Sequence, residues 1–231
     1  MLGIVGSSTL DELAINLHER YPTVESTDVN KHGFRDSEIL THAQTCYYGC
    51  SVTYGYGVER DERFTSLISG SSNNFGLCGI GVDEMLWLYM ATSKFVTIER
   101  AVFMFPNIYR YTVPLSDRHY NIFPNYHKTN PGHELIRDFG DTYYKLPDSY
   151  FMDKFKNQLA AIIYISELKN IPLYFSSWVP RVHDLLVRLT KNQNVTIVAP
   201  MENDNGAIDK LHPSIDAHKQ IASEFNVLFG N

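Results

Sequence analysis

Three times along this chain a helical period of apolar residues gives way to a short run of uniformly apolar ones, and that alternation constrains the fold more than any other feature. Val82, Met85, Leu86, Tyr89 and Met90 follow the i, i+3, i+4, i+7, i+8 spacing of an amphipathic helix and precede the run Ala101 to Phe105. Met152, Phe155, Leu159, Ile162, Ile163 and Ser166 mark a second helix ahead of Pro172 to Phe175, and Val182 to Leu189 a third ahead of Val195 to Val198. Ile215, Ala217, Ile221, Ala222, Phe225 and Leu228 describe a last helix, and Thr45 to Tyr48 reads as a further short strand near the start. Strands of strand length with no polar alternation are covered on both faces, so the pattern predicts an α/β fold with a parallel sheet between layers of helices. Such sheets bind ligands at the carboxyl ends of their strands.

The length, 231 residues, suits one domain of this kind, with residues 1–40 as a helix and extended lead-in packed on a core of residues 41–231. In the lead-in, Ser8 and Asp11 can cap a helix carrying Leu10, Leu13, Ala14 and Leu17. With 44% hydrophobic residues there is ample material for a core. A net charge of -6 without a Lys/Arg cluster excludes a nucleic-acid groove. The opening MLGIVG is too short for a signal-peptide core, and no run approaches the roughly 20 apolar residues of a membrane span, so a cytoplasmic protein without a membrane partner is expected. Cys46, Cys50 and Cys78 form no CxxC pair and read as reduced thiols. Asn194-Val195-Thr196 has the form of a glycosylation acceptor but runs into an expected buried strand.

The stretch YYGCSVTYGYGV, Tyr47 to Val58, places Ser51 at the carboxyl end of the first strand, with glycines that allow a tight path toward a helix expected near Glu59. A serine is a weak nucleophile and needs a base held by a third group. The segment DKLHPS supplies both: Asp209 and His212, three apart in a turn, let the carboxylate hold one ring nitrogen while the other faces outward, and Pro213-Ser214 open the last helix. Two other serines fit less well. Ser8 is better read as a helix cap, and Asp36-Ser37 lacks a preceding apolar strand.

These blocks resemble the SGNH (GDSL-type) hydrolases. GCSVTYGYGV is similar to their nucleophile block in the GCS-x-T variant, where Cys stands for the usual Asp, and DKLHPSIDAH to their Asp-x-x-His block. NNFGLCGIGVDE (Asn73 to Glu84) is similar to the second block, FMFPNIYR stands where the third supplies an Asn, and NKHGFR (Asn30 to Arg35) resembles a segment ahead of the first block. The order matches over roughly Asn30 to Phe229. The resemblance implies a three-layer α/β/α flavodoxin-like sandwich with about five parallel strands, and ester hydrolysis without metal or cofactor. By position, Ser51 would be the nucleophile, His212 the base and Asp209 its orienter. The oxyanion hole would use the backbone N–H groups of Ser51 and Gly79 and the Asn107 side chain, with Gly76 competing for the role of Gly79.

The segment Asn107 to Ser149 breaks the rhythm, is rich in Tyr, Asn, His and Pro, and reads as a wall of the site. Tyr54, Tyr109 and Arg110 are candidate substrate contacts, Arg110 for an anionic group, and Tyr56 and Tyr111 further pocket tyrosines. His119, His127 and His133 lack metal-ligand spacing. The expected activity is hydrolysis of short acyl esters, acetyl above all, on a small molecule or an acetylated carbohydrate. The alternatives are a non-catalytic carbohydrate-binding or structural module on the same fold and an O-acyltransferase.

Overall fold

A computed structural model of the protein describes residues 29–114, 119–122 and 134–230. The expected leading helix at Ser8, with His127 and His133, lies outside these residues, as does the side chain of His119. In chain order the elements are β1 (His42–Gly49), α1 (Ser51–Tyr54), α2 (Phe64–Leu67), β2 (Ser72–Asn74), α3 (Val82–Thr92), β3 (Thr97–Phe105), β4 (Tyr111–Pro114) and β5 (His119–Ile122). There follow α4 (Glu134–Tyr143), α5 (Asp148–Lys169), β6 (Leu173–Ser177), α6 (Pro180–Leu189), β7 (Val195–Ile197) and α7 (Ile215–Phe229). Five strands form one parallel sheet in the order β2-β1-β3-β6-β7, and β4 and β5 make a separate antiparallel hairpin.

Alternation along the central strands explains the three layers, because successive side chains point to opposite faces. Tyr48, Phe103, Phe105 and Phe175 enter one core with α3 and α5, whereas Tyr47, Val102 and Met104 enter a second with α2 and α7. The first core is an aromatic ladder: Tyr48 stacks on Phe103 at 4.9 Å, and Phe175 meets Phe103 edge-on at 5.6 Å. The buried Tyr48 hydroxyl is satisfied by Thr92 Oγ1 at 2.8 Å.

Several sequence expectations need correction. No helix starts near Glu59: the helix after the first strand begins at Ser51 itself, lasts one turn, and is ended by Gly55 in the left-handed region. On α3, Leu88 faces the core and Met90 is exposed, so the apolar face is rotated from the expected one. The aperiodic stretch after Asn107 contains the β4–β5 hairpin and α4. On α7 Leu228 is exposed, and the buried face includes His218, which the apolar pattern did not mark. Among the described residues no helix is long and apolar enough to cross a membrane.

His218 is fully buried, stacks on Phe64 at 6.0 Å, and its Nδ1 accepts the Phe64 N–H at 3.1 Å. Burial, with smaller contributions from His212 and Arg63, pushes its pKa down to about 4. A histidine that stays neutral when folded takes up its proton more readily when unfolded. Its contribution to stability is therefore complete above pH ~6.5 and lost as the pH falls toward about 4. Denaturant titrations from pH 7 to 4 should show a loss of up to about 3 kcal/mol from this group. His218→Gln should be less stable at pH 7 but have a flatter slope; an unchanged slope would refute the assignment.

Candidate active site

The site is assembled at the carboxyl end of β1, where the chain turns from strand into α1. As the first residue of that helix, Ser51 has a backbone N–H with no intrahelical acceptor, and its side chain is only 6% exposed. The loop before α7 brings the other two candidates to it. Ser51 Oγ lies 2.9 Å from His212 Nε2, and His212 Nδ1 lies 2.6 Å from Asp209 Oδ2. A carboxylate can only accept, so Nδ1 carries the proton; in the neutral ring Nε2 is then the acceptor facing the serine hydroxyl. Asp209 is fixed in turn by the N–H groups of Leu211 (3.0 Å) and His212 (3.2 Å) on Oδ1. Desolvation acts to raise the Asp209 pKa, but the hydrogen bonds from Leu211 and His212 outweigh it and hold the carboxyl below its usual range.

Gly57 lets the two loops meet. Its φ is +86°, a Cβ there would stand 2.8 Å from the Ala207 Cβ and 3.3 Å from Asp209 Oδ1, and its carbonyl accepts the Ile208 N–H at 3.3 Å. The Tyr56 ring packs against His212 at a tilt, with the ring centroids 5.2 Å apart.

The two glycines that compete for the oxyanion hole are distinguishable. Gly76 already donates its N–H to Asn74 Oδ1 at 2.8 Å, and a Cβ there would lie 2.6 Å from the Tyr54 nitrogen. It is a packing glycine beneath α1. For Gly79 no described residue accepts the N–H. The Leu77 N–H bonds the Gly49 carbonyl at 3.1 Å, which holds the chain two residues before Gly79 at the carboxyl end of β1. Asn107 follows β3, the strand beside β1, and Oδ1 accepts the Tyr109 N–H at 3.0 Å.

The three expected substrate contacts are engaged in the scaffold. Tyr54 is 9% exposed and packs against the Arg35 guanidinium at 5.5 Å. Tyr109 donates its hydroxyl to Asp148 at 3.0 Å and packs edge-on against Phe151. The Arg110 guanidinium sits 5.7 Å from the Trp178 ring, while its carbonyl accepts from Lys154 Nζ at 3.0 Å. The thiols next to the candidate donors form no disulfide, and burial pushes the Cys78 thiol up to about 12. Among the described residues no group of three His, Cys, Asp or Glu side chains could hold a metal ion.

Sequence reasoning missed the groups that brace the turn carrying Ser51. Arg35 donates to the carbonyls of Gly55 and Val58, the latter at 3.0 Å. The buried Arg63 donates to the Arg35 carbonyl and pairs with Asp36 at 3.0 Å. Asp36 accepts the Asn74 N–H at 2.7 Å, and Asn74 Nδ2 donates to the Thr53 carbonyl at 2.8 Å. The one available signal was the resemblance of Asn30 to Arg35 to a segment ahead of the nucleophile block.

Neither a protein-family model nor a curated protein matches this sequence. Among solved structures, the chain is similar to a protein of Desulfitobacterium hafniense DCB-2 named for the G-D-S-L family of lipolytic proteins. The match has 12% identity and a TM-score of 0.54 over 82% of this chain and 99% of that one. It is also similar to the psychrotrophic esterase EstA of Pseudoalteromonas sp., in a structure inhibited by monoethylphosphonate, with 12% identity and a TM-score of 0.53 over 83% of this chain and 100% of that one. A GDSL-like lipase of Bacteroides thetaiotaomicron VPI-5482 matches with 11% identity and a TM-score of 0.50 over 82% and 88%. At such identities the likeness is one of architecture, and this chain has the fold of the GDSL-type, or SGNH, hydrolases.

Proposed function

We propose that the protein is an SGNH-type serine esterase, hydrolysing short acyl esters through an acyl-enzyme. The observation that carries this reading is the unbroken line from Asp209 through His212 to Ser51, with contacts of 2.6 and 2.9 Å. His212 would take the serine proton as Oγ attacks the ester carbonyl, then return it to the departing alcohol. A water activated by the same ring would release the acid. A binding module has no need of a serine, an imidazole and a carboxylate in this order and tautomer, so the geometry favours catalysis over the non-catalytic alternative. The fold, shared with an esterase that a phosphonate inhibits, supports the same chemistry.

For the substrate we infer a short acyl group, acetyl above all, on a small molecule or a carbohydrate. The described part of the segment after β3 packs through aromatic side chains. Tyr111 stacks with Tyr143 at 5.4 Å and with Phe139 at 5.9 Å, and Tyr109 is tied to α5. Among the described residues these mutually packed rings make a stiff wall that offers no aliphatic tunnel for a long chain. The test has two parts. A fluorophosphonate should label the protein at Ser51, located by mass analysis of the modified peptide. Turnover should fall steeply from acetyl and butyryl to octanoyl esters. Labelling elsewhere would refute the nucleophile, and a preference for dodecanoyl esters would refute the substrate class.

A further inference from the structure

Asn121, on β5, belongs to none of the blocks that the sequence singled out, yet it touches the peptide on which the oxyanion hole depends. We propose that Asn121 is a positioning residue that aims the Gly79 N–H into the oxyanion hole by holding the Cys78 carbonyl. The proposal rests on the hydrolase reading above, in which Gly79 is a donor to the oxyanion.

The peptide that joins Cys78 to Gly79 is planar. The carbonyl of Cys78 and the N–H of Gly79 belong to one trans unit and point in opposite directions, so a bond that fixes the one fixes the other. Asn121 Nδ2 donates to the Cys78 oxygen at 3.1 Å. Polarisation of that carbonyl also strengthens the N–H of the same unit as a donor. Because a carbonyl can only accept, the amide end of Asn121 must face it, leaving Oδ1 for another donor. Thr112 provides one, giving its hydroxyl to Oδ1 at 2.9 Å. Thr112 and Asn121 are register partners across the β4–β5 hairpin, so their side chains share one face.

The hairpin is then fastened to the element it aligns. The Thr112 N–H donates to Asp83 Oδ2 at 3.1 Å, and Asp83 lies in the first turn of α3, just after Gly79. A closed circuit results, from Gly79 along the chain to Asp83, across to Thr112, on to Asn121 and back to the Cys78 carbonyl. With φ at +79° and Asn121 Nδ2 3.0 Å from where a Cβ would stand, Gly79 leaves room for this contact that a larger residue would take away. Asn121 is therefore a support behind the hole and not one of the substrate contacts its segment was expected to furnish.

The test compares wild type with N121A, T112V and T112S, reading kcat, KM, the rate of inactivation by a fluorophosphonate, and thermal midpoint. N121A and T112V should lower kcat roughly ten- to hundredfold, less than loss of an oxyanion donor itself, with KM within about twofold. Phosphonylation should slow in the same proportion, since it builds the same tetrahedral geometry at Ser51. T112S keeps the hydroxyl and should restore most of what T112V loses, a pattern that simple loss of packing does not produce. If N121A fails to fold, the T112V and T112S pair decides the matter alone. An active wild type alongside N121A and T112V with kcat within twofold of it would overturn this proposal only. A wild type that neither hydrolyses a short activated ester nor takes the label would overturn the hydrolase reading and this one together.

Discussion

Ser51→Ala and His212→Ala should each remove nearly all turnover of a short activated ester, a loss of about 10⁴- to 10⁶-fold, while leaving the fold intact. The size follows from the geometry. With Ser51 Oγ 2.9 Å from His212 Nε2, the proposed mechanism gives the hydroxyl an acceptor for its proton at the moment of attack, and in that mechanism neither group acts without the other. Their losses should therefore not add: the double variant should be about as slow as either single one. Asp209→Asn should cost less, because it removes the charge behind the imidazole and disturbs its tautomer but leaves the nucleophile and the hole in place. The fold should survive Ser51→Ala because the serine hydroxyl bonds no scaffold carbonyl, whereas α1 is held from beneath by Asn74 on the Thr53 carbonyl and by Arg35 on that of Gly55. Near-ultraviolet circular dichroism and the thermal midpoint would verify this. Retention of more than a few per cent of turnover by a folded Ser51→Ala variant would refute the triad. Transfer of the acyl group to an added sugar in preference to water would leave the triad standing and change the reaction to acyl transfer.

What could be read from the sequence depended on how local its cause was. Strands β3, β6 and β7 and helices α3, α5, α6 and α7 were legible because covered strands and one-sided helices leave periodic apolar records. Strand β2 left none. It is an edge strand of Ser72, Asn73 and Asn74, and the Asn73 side chain is spent on the Leu40 backbone, donating and accepting at 2.8 Å. Helix α1 is a single turn, too short to show a period, and β4 and β5 are four-residue strands of mixed polarity, too short for an alternation to stand out. The site divides in the same way. Asp209 and His212 form their bond within one turn and so announced themselves as a pair. Arg35, Asp36 and Arg63 act over separations of 20 to 38 residues, and nothing in their own neighbourhood records what they reach. His218 was illegible for a further reason: its partner is the Phe64 N–H, 154 residues away.

Asn107→Ala should lower kcat by roughly 10²–10³ with little change in KM, the signature of a donor that acts on the developing oxyanion and not on the bound ester. Asn107 lies two residues beyond the end of β3, and β3 pairs with β1 so that Met104 stands opposite Gly49; the turn after β3 thus emerges on the same edge of the sheet as Ser51. Within that turn the side chain is divided between two tasks. Oδ1 accepts the Tyr109 N–H at 3.0 Å and the backbone carbonyl accepts the Arg110 N–H at 3.1 Å, an arrangement that closes the turn and leaves Nδ2 as the group with donors to offer. Alanine would remove both tasks at once, so a loss with Asn107→Ala alone does not separate them. Asn107→Asp does. The carboxylate can still accept from Tyr109 and keep the turn, but it presents a negative charge where the amide would have donated, against an oxygen that is itself becoming negative. The expected result is a kcat at least as low as that of Asn107→Ala, together with a thermal midpoint close to wild type. If Asn107→Asp instead retains most of the wild-type kcat, the asparagine only shapes the turn, and the hole must be completed by the N–H groups of Ser51 and Gly79.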